Sequence, residues 1–171
     1  MMTLNRVEVL PANAVMLGEN TLLSFEVQCL NFERLKHKMT QTAESEISEE
    51  AWDLAEKEYR RFLTLKQLYP GVSLVPSKQV DQIWHAHILD TRAYRDDCNA
   101  VFGRFIDHYP YFGIYGDDDS RALNTAFNET VALYESHFGP YPAEKNPMRC
   151  GDDHACHAPS ECACRVPTAC K

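Results

Sequence analysis

Apolar positions recur with a helical period through most of the middle of this chain. Between about residues 20 and 39, Leu23, Val27 and Leu30 fall at core spacing, which predicts a first helix. The polar run Thr40–Glu46 is a connector. Ser48 follows as an N-cap with Glu49 and Glu50 behind it, suited to the positive end of a helix dipole. That second helix carries Trp52, Tyr59, Phe62 and Tyr69 near one face and stops at Pro70-Gly71.

Ser77 caps a third helix expected to run to about Phe102, where Gly103 ends it. The following RFIDHYPYFGIYGDD is an aromatic loop too rich in Pro and Gly to stay helical. Asp119 or Ser120 is the expected cap of a fourth helix. Its Leu123, Phe127, Val131, Tyr134 and Phe138 share one face, and Gly139-Pro140 ends it. The pattern predicts an all-α bundle of about four main helices, with an aromatic loop and an irregular Cys-rich C-terminal tail. The expected organisation is an irregular lead-in over 1–19 with an extended stretch at Arg6–Leu10, a helical core over 20–142, and a Cys/His-rich tail over 143–171.

Composition narrows the classes of function. The 171 residues are 44% hydrophobic and 25% charged, ordinary for a soluble globular protein. A net charge of −8, with Lys and Arg nowhere densely clustered, argues against nucleic acid and anionic membranes as partners. Arg60-Arg61 reads as solvated helix surface. No run reaches the ~18 apolar residues of a membrane span, and no basic head precedes an apolar run at the start. A cytoplasmic location is the expectation, with a small molecule or a protein as the partner. Cys29 and Cys98 fall in helical patterns and read as buried.

The chemistry concentrates in VDQIWHAHILDTRAYRDDC. At ~100° per residue, Val80, Trp84, His87, Thr91 and Cys98 make one inward stripe, and His85 sits ~200° from His87, nearer Asp81. The H-x-H pair therefore cannot clasp one ion on a regular helix. His87 with Asp90, three residues on, presents a nitrogen and an oxygen to one point, as in metal-carrying bundles. His108 in the returning loop is a third donor, with His37 and His137 as further candidates. Such a His/carboxylate set suits a divalent ion, zinc or iron, better than calcium. Asp81 and His85 then read as proton carriers for metal-assisted hydrolysis or oxidation. A second reading stands beside this one: a buried His bonded to a buried Asp satisfies both groups without metal, and Asp81–His85 is an exposed i, i+4 pair.

The tail supplies Cys150, Cys156, Cys162, Cys164 and Cys170, with His154 and His157 between them. Thiolates at this density bind zinc or cuprous copper when unpaired, although the spacing is not that of a zinc ribbon. A non-catalytic interaction module, with structural His/Asp pairs and a tail that binds metal or a partner, is the alternative function.

The strings EYRRFLTLKQLYP, VPSKQVDQIWHAHILDTRAYRDDC and FGRFIDHYPYFG resemble the glycine-rich domain-containing protein-like family over roughly residues 20–140. The matching positions are Trp84, His85, His87, Asp90 and Thr91, then His108, Tyr109, Pro110 and Tyr111. The resemblance implies a shared site around His85–Asp90 without naming its reaction. It suggests a short bacterial-type member: with seven glycines and no glycine-rich extension, the chain inherits no RNA-related role.

Overall fold

The computed structural model describes residues 14–17, 21–42 and 47–142. An antiparallel pair, β1 (Ala14–Leu17) and β2 (Thr21–Ser24), places Val15 opposite Leu23. Six helices follow among the described residues: α1 (Phe25–Gln28), α2 (Glu33–Gln41), α3 (Glu49–Leu68), α4 (Lys78–Leu89), α5 (Thr91–Phe102) and α6 (Gly116–Phe138). The architecture is all-α, with the strand pair at one end of the chain.

Three expectations fail locally where a short polar side chain bonds the backbone, and in the first two that bonding interrupts a helix. The single helix over 20–39 is instead β2, α1 and α2. Ser24 Oγ accepts from Val27 N at 3.2 Å, and Asn31 Oδ1 accepts from Glu33 N at 3.0 Å, so each starts a new helix. Leu23, Val27 and Leu30 are nonetheless buried. The helix expected over 77–102 is broken at Asp90, whose carboxylate accepts from Ala93 N at 3.4 Å while its own N–H closes α4 on Ala86. Asp119 does not cap α6. From the first turn it accepts from Gly113 N at 2.8 Å and Tyr115 N at 3.1 Å, tying down the loop ahead of the helix.

Other signals hold. Ser48 and Ser77 cap α3 and α4, and Gly103 ends α5 with φ 65°. The apolar face of α6 is buried from Leu123 to Phe138.

Helix α3 is the spine, packing against β2, α1, α2, α4 and α6. Its Trp52, Tyr59 and Leu65 are fully buried. Arg60 and Arg61, expected on solvated surface, are largely covered instead. Arg60 donates to the carbonyls of Val27 (2.7 Å) and Leu30 (3.0 Å), pairs with Glu56, and lies over the Phe32 ring. It thereby helps to satisfy carbonyls at and just beyond the end of α1. Arg61 pairs with Glu58 at 3.0 Å and bonds Tyr134 across to α6. Cys98 is buried as expected, whereas Cys29 is exposed. The extended stretch expected at Arg6–Leu10 lies outside the described residues.

Two substitutions test this frame. A Cβ on Gly113 (φ 87°) would stand 2.5 Å from Leu123 Cδ2, so Gly113→Ala combines left-handed strain with overpacking and costs about 2–4 kcal/mol. Asp90→Ala removes the cap at the α4–α5 break and costs about 1 kcal/mol. Urea unfolding of the full chain measures both.

Candidate metal centre

Helix α4 buries more than one stripe: Val80, Asp81, Ile83, Trp84 and His87 are all covered. Asp81 is 3% exposed, so the surface pair expected of Asp81 and His85 is an inward-facing one. A carboxylate in that setting needs partners, and it has two. His108 Nε2 is 3.0 Å from Asp81 Oδ1, and His85 Nε2, one helical turn along, is 3.5 Å from Asp81 Oδ2. The two imidazoles also meet each other, Nε2 to Nε2, at 3.0 Å.

The aromatic loop delivers His108 because its start is pinned. Tyr94 of α5 donates its hydroxyl hydrogen to the Ile106 carbonyl at 2.6 Å and accepts from Trp84 Nε1 at 2.9 Å. One phenol thus ties α4, α5 and the loop together two residues before His108. The Trp84 ring packs edge-on against the His108 imidazole, centroids 4.7 Å apart.

Asp81, His85 and His108 are the His/Cys/Asp/Glu group whose donor atoms converge closely enough to hold one ion among the described residues. The hydrogen-bonding problem they pose is specific. The carboxylate only accepts, and each neutral ring nitrogen either donates or accepts. A hydrogen on His108 Nε2 cannot point squarely at both Asp81 and His85, and a hydrogen on each nitrogen would set the two against one another. A cation at the centre would take a lone pair from all three. Donors 2.0–2.1 Å from a tetrahedral zinc stand roughly 3.3 Å from one another; here the two ring nitrogens are 3.0 Å apart, and each lies 3.0 or 3.5 Å from a different oxygen of Asp81.

The structure does not bring His87, Asp90 and His108 together, contrary to the expected ligand set. The i, i+3 relation of His87 and Asp90 presumed a continuous helix, and α4 ends at Leu89. His87 is 3% exposed, with Nδ1 3.0 Å from the Tyr59 hydroxyl and Nε2 3.0 Å from Asp97 Oδ2. Burial pushes the Tyr59 phenol well above its ordinary pKa, so it stays a donor. Tyr59 to Nδ1 and Nε2–H to Asp97 then satisfy the ring without a metal. His37 is exposed on α2, and His137 Nε2 meets the Tyr69 hydroxyl at 2.7 Å. Cys150, Cys156, Cys162, Cys164 and Cys170 lie outside the described residues. The signal for the observed trio was the Asp81/His85 spacing. What hid it was the assumption that only one stripe of α4 faces inward.

Asp81 and His108 also line a cleft of about 360 Å³, closed by Trp84, Phe112 and Leu123 and by the Ser73–Pro76 segment. Lys66 of α3 forms part of its wall. Burial, and to a lesser degree the charge of Arg104, brings the Lys66 pKa down to about 8. No helix among the described residues is long and apolar enough to cross a membrane.

The UCP032817-like family model matches residues 21–135, a span that holds all three converging donors. Glycine-rich domain-containing protein 1 of Arabidopsis thaliana is 34% identical over 90 residues, covering 47% of this chain and 10% of its own length. Glycine-rich domain-containing protein 2 of the same plant is 33% identical over 70 residues, covering 38% and 8%. The chain thus spans about a tenth of the length of these curated relatives. No solved structure matches it. A family match over two thirds of the chain, joined to the likeness to these plant proteins, means that the chain belongs to the UCP032817-like family, a glycine-rich domain-containing protein-like family.

Proposed function

We propose that this protein holds one divalent transition metal, zinc or iron, through Asp81 Oδ, His85 Nε2 and His108 Nε2, and works as a metal-dependent enzyme. The observation that carries the reading is that one donor atom from each of Asp81, His85 and His108 lies within 4.8 Å of the other two. Two imidazoles and a carboxylate are borderline-to-hard donors, suited to zinc and non-haem iron. Asp81 and His85, expected to carry protons, serve as ligands in this arrangement. Three protein ligands leave a coordination position open, the hallmark of a catalytic site over a structural one. Asp81 and His108 also border the cleft, so a metal held by them would lie beside a space of small-molecule size.

A metal bound there supplies Lewis acidity to a water or to an oxygen of the substrate, in hydrolysis or oxidation. The chain's own residues do the positioning. Trp84 and Tyr94 hold the loop and the His108 ring in place, and the apolar cleft wall limits water around the buried Asp81. A second reading, a non-catalytic interaction module, draws on the aromatic loop, where Phe105, Tyr109 and Tyr115 are 50%, 65% and 69% exposed. The tail thiols remain a separate proposal as ligands for zinc or cuprous copper.

Elemental analysis of untagged full-length protein, with the five tail cysteines changed to serine, is the test. One zinc or iron per chain should remain, and His108→Ala and Asp81→Asn should each lose it. Full metal retention by both variants, or no metal in the parent, would falsify the assignment. His87→Ala should keep its metal. It should lose about 2–4 kcal/mol of stability, because Tyr59 and Asp97 are left without their shared partner; urea unfolding reads that loss. Metal disappearing from the His87 variant, with folding intact, would restore the ligand set expected from the sequence.

A further inference from the structure

An ammonium that is half-buried, as Lys66 is, ordinarily sits against a carboxylate. Lys66 does not. Its Nζ lies 5.5 Å from the Phe62 ring centroid and 5.2 Å from that of Trp84, and among the described residues no carboxylate forms an ion pair with it. The other charge it feels is Arg104, which repels it. Asp107 also lines the cleft, but it is exposed to solvent and does not neutralise Lys66. A chain of net charge −8 therefore keeps an uncompensated cation in the wall of its cleft, on the same cavity as Asp81 and His108.

Two rings under an ammonium offset part of its desolvation but bring no counter-charge. With a pKa of about 8, Lys66 is still mostly cationic at neutral pH. The rest of the lining is mixed: Leu74, Val75, Pro76, Phe112 and Leu123 are apolar, and Ser73 and Tyr109 add hydroxyls. The cavity volume is that of a small-molecule site.

We propose that the cleft binds a small organic anion, a carboxylate or a phosphate monoester on an apolar body, with its anionic head paired to Lys66 and its body against Trp84, Phe112 and Leu123. The seat of the anion depends on Lys66 alone. Only the further statement, that such a molecule is the substrate presented to the Asp81–His85–His108 centre, rests on the metal reading above. Lys66 is a binding residue in this scheme and takes no part in holding the ion.

The experiment uses the full chain, titrated with phenylacetate, phenyl phosphate and neutral phenylacetamide. Tryptophan fluorescence reports binding, since Trp84 lines the cleft. Phenylacetate, phenyl phosphate or both should bind saturably, and the anion that binds should do so at least about tenfold more tightly than the amide. The stronger of the two identifies the head group. Lys66→Met should abolish that preference while leaving amide binding and metal content unchanged, and Lys66→Arg should retain it. Lys66→Met is expected to fold at least as well as the parent, because Nζ makes no hydrogen bond and its burial is costly.

Equal binding of anion and amide, undiminished anion binding by Lys66→Met, or no saturable binding of either anion up to roughly 10 mM would each overturn the proposal. Loss of metal from Asp81→Asn, with anion binding untouched by Lys66→Met, sinks this inference and spares the metal centre. Charge-selective, Lys66-dependent binding in a protein that takes up no metal does the reverse.

Discussion

The corner at Asp90 is the constraint on which the rest of the site depends. Within one continuous helix, residues ten apart lie about 15 Å from each other along the axis. Yet Trp84 bonds Tyr94 and His87 bonds Asp97, each pair ten residues apart. Both contacts exist because Asp90 ends α4 and starts α5, letting the second helix fold back on the first. Tyr94 can then reach the Ile106 carbonyl, and the loop that follows brings His108 against Asp81 and His85. One aspartate acting as a cap thus converts a linear motif into a three-dimensional one.

The same corner divides the histidines by role. His85 and His87 are neighbours in sequence, but the helix turns them to different sides. His87 enters the core between Phe32, Tyr59 and Tyr94, where a phenol and a carboxylate use both its nitrogens. Such a chain rigidifies the junction of α3, α4 and α5, since every polar group in it is satisfied. His85 and His108 face a different problem: two ring nitrogens and a carboxylate oxygen crowd one point with too few hydrogens arranged to serve them. The second cluster, and not the first, is the one among the described residues whose donors could hold a cation.

Charge is distributed along α3 with similar economy. Arg60 and Arg61 are drawn into the structure by specific acceptors: the carbonyls at the end of α1, Glu56, Glu58 and Tyr134. Lys66, two turns further on, lies in the cleft wall with only aromatic rings beneath it. Arg60 and Arg61 complete the fold, whereas Lys66 has no carboxylate partner within it. Asp81, His108 and this ammonium open on a common space.

Much of this architecture was legible from local signals. The serine caps at Ser48 and Ser77, the glycine stop at Gly103 and the apolar face of α6 all follow from interactions within a few residues, and they appear where the periodicity put them. The pairing of Asp81 with His85 could likewise be read from a spacing of four. The strand pair, the break at Asp90, the burial of Arg60 and the partners that His108 meets could not. Each depends on a competition between local bonding and distant partners, and the outcome is set by packing: a helix continues or stops according to which arrangement satisfies more buried groups. Side-chain chemistry in the primary structure was enough to announce a helical protein rich in metal-type donors. Which donors share a point was settled when α5 and the aromatic loop closed over α4, because convergence belongs to elements brought together from separate parts of the chain.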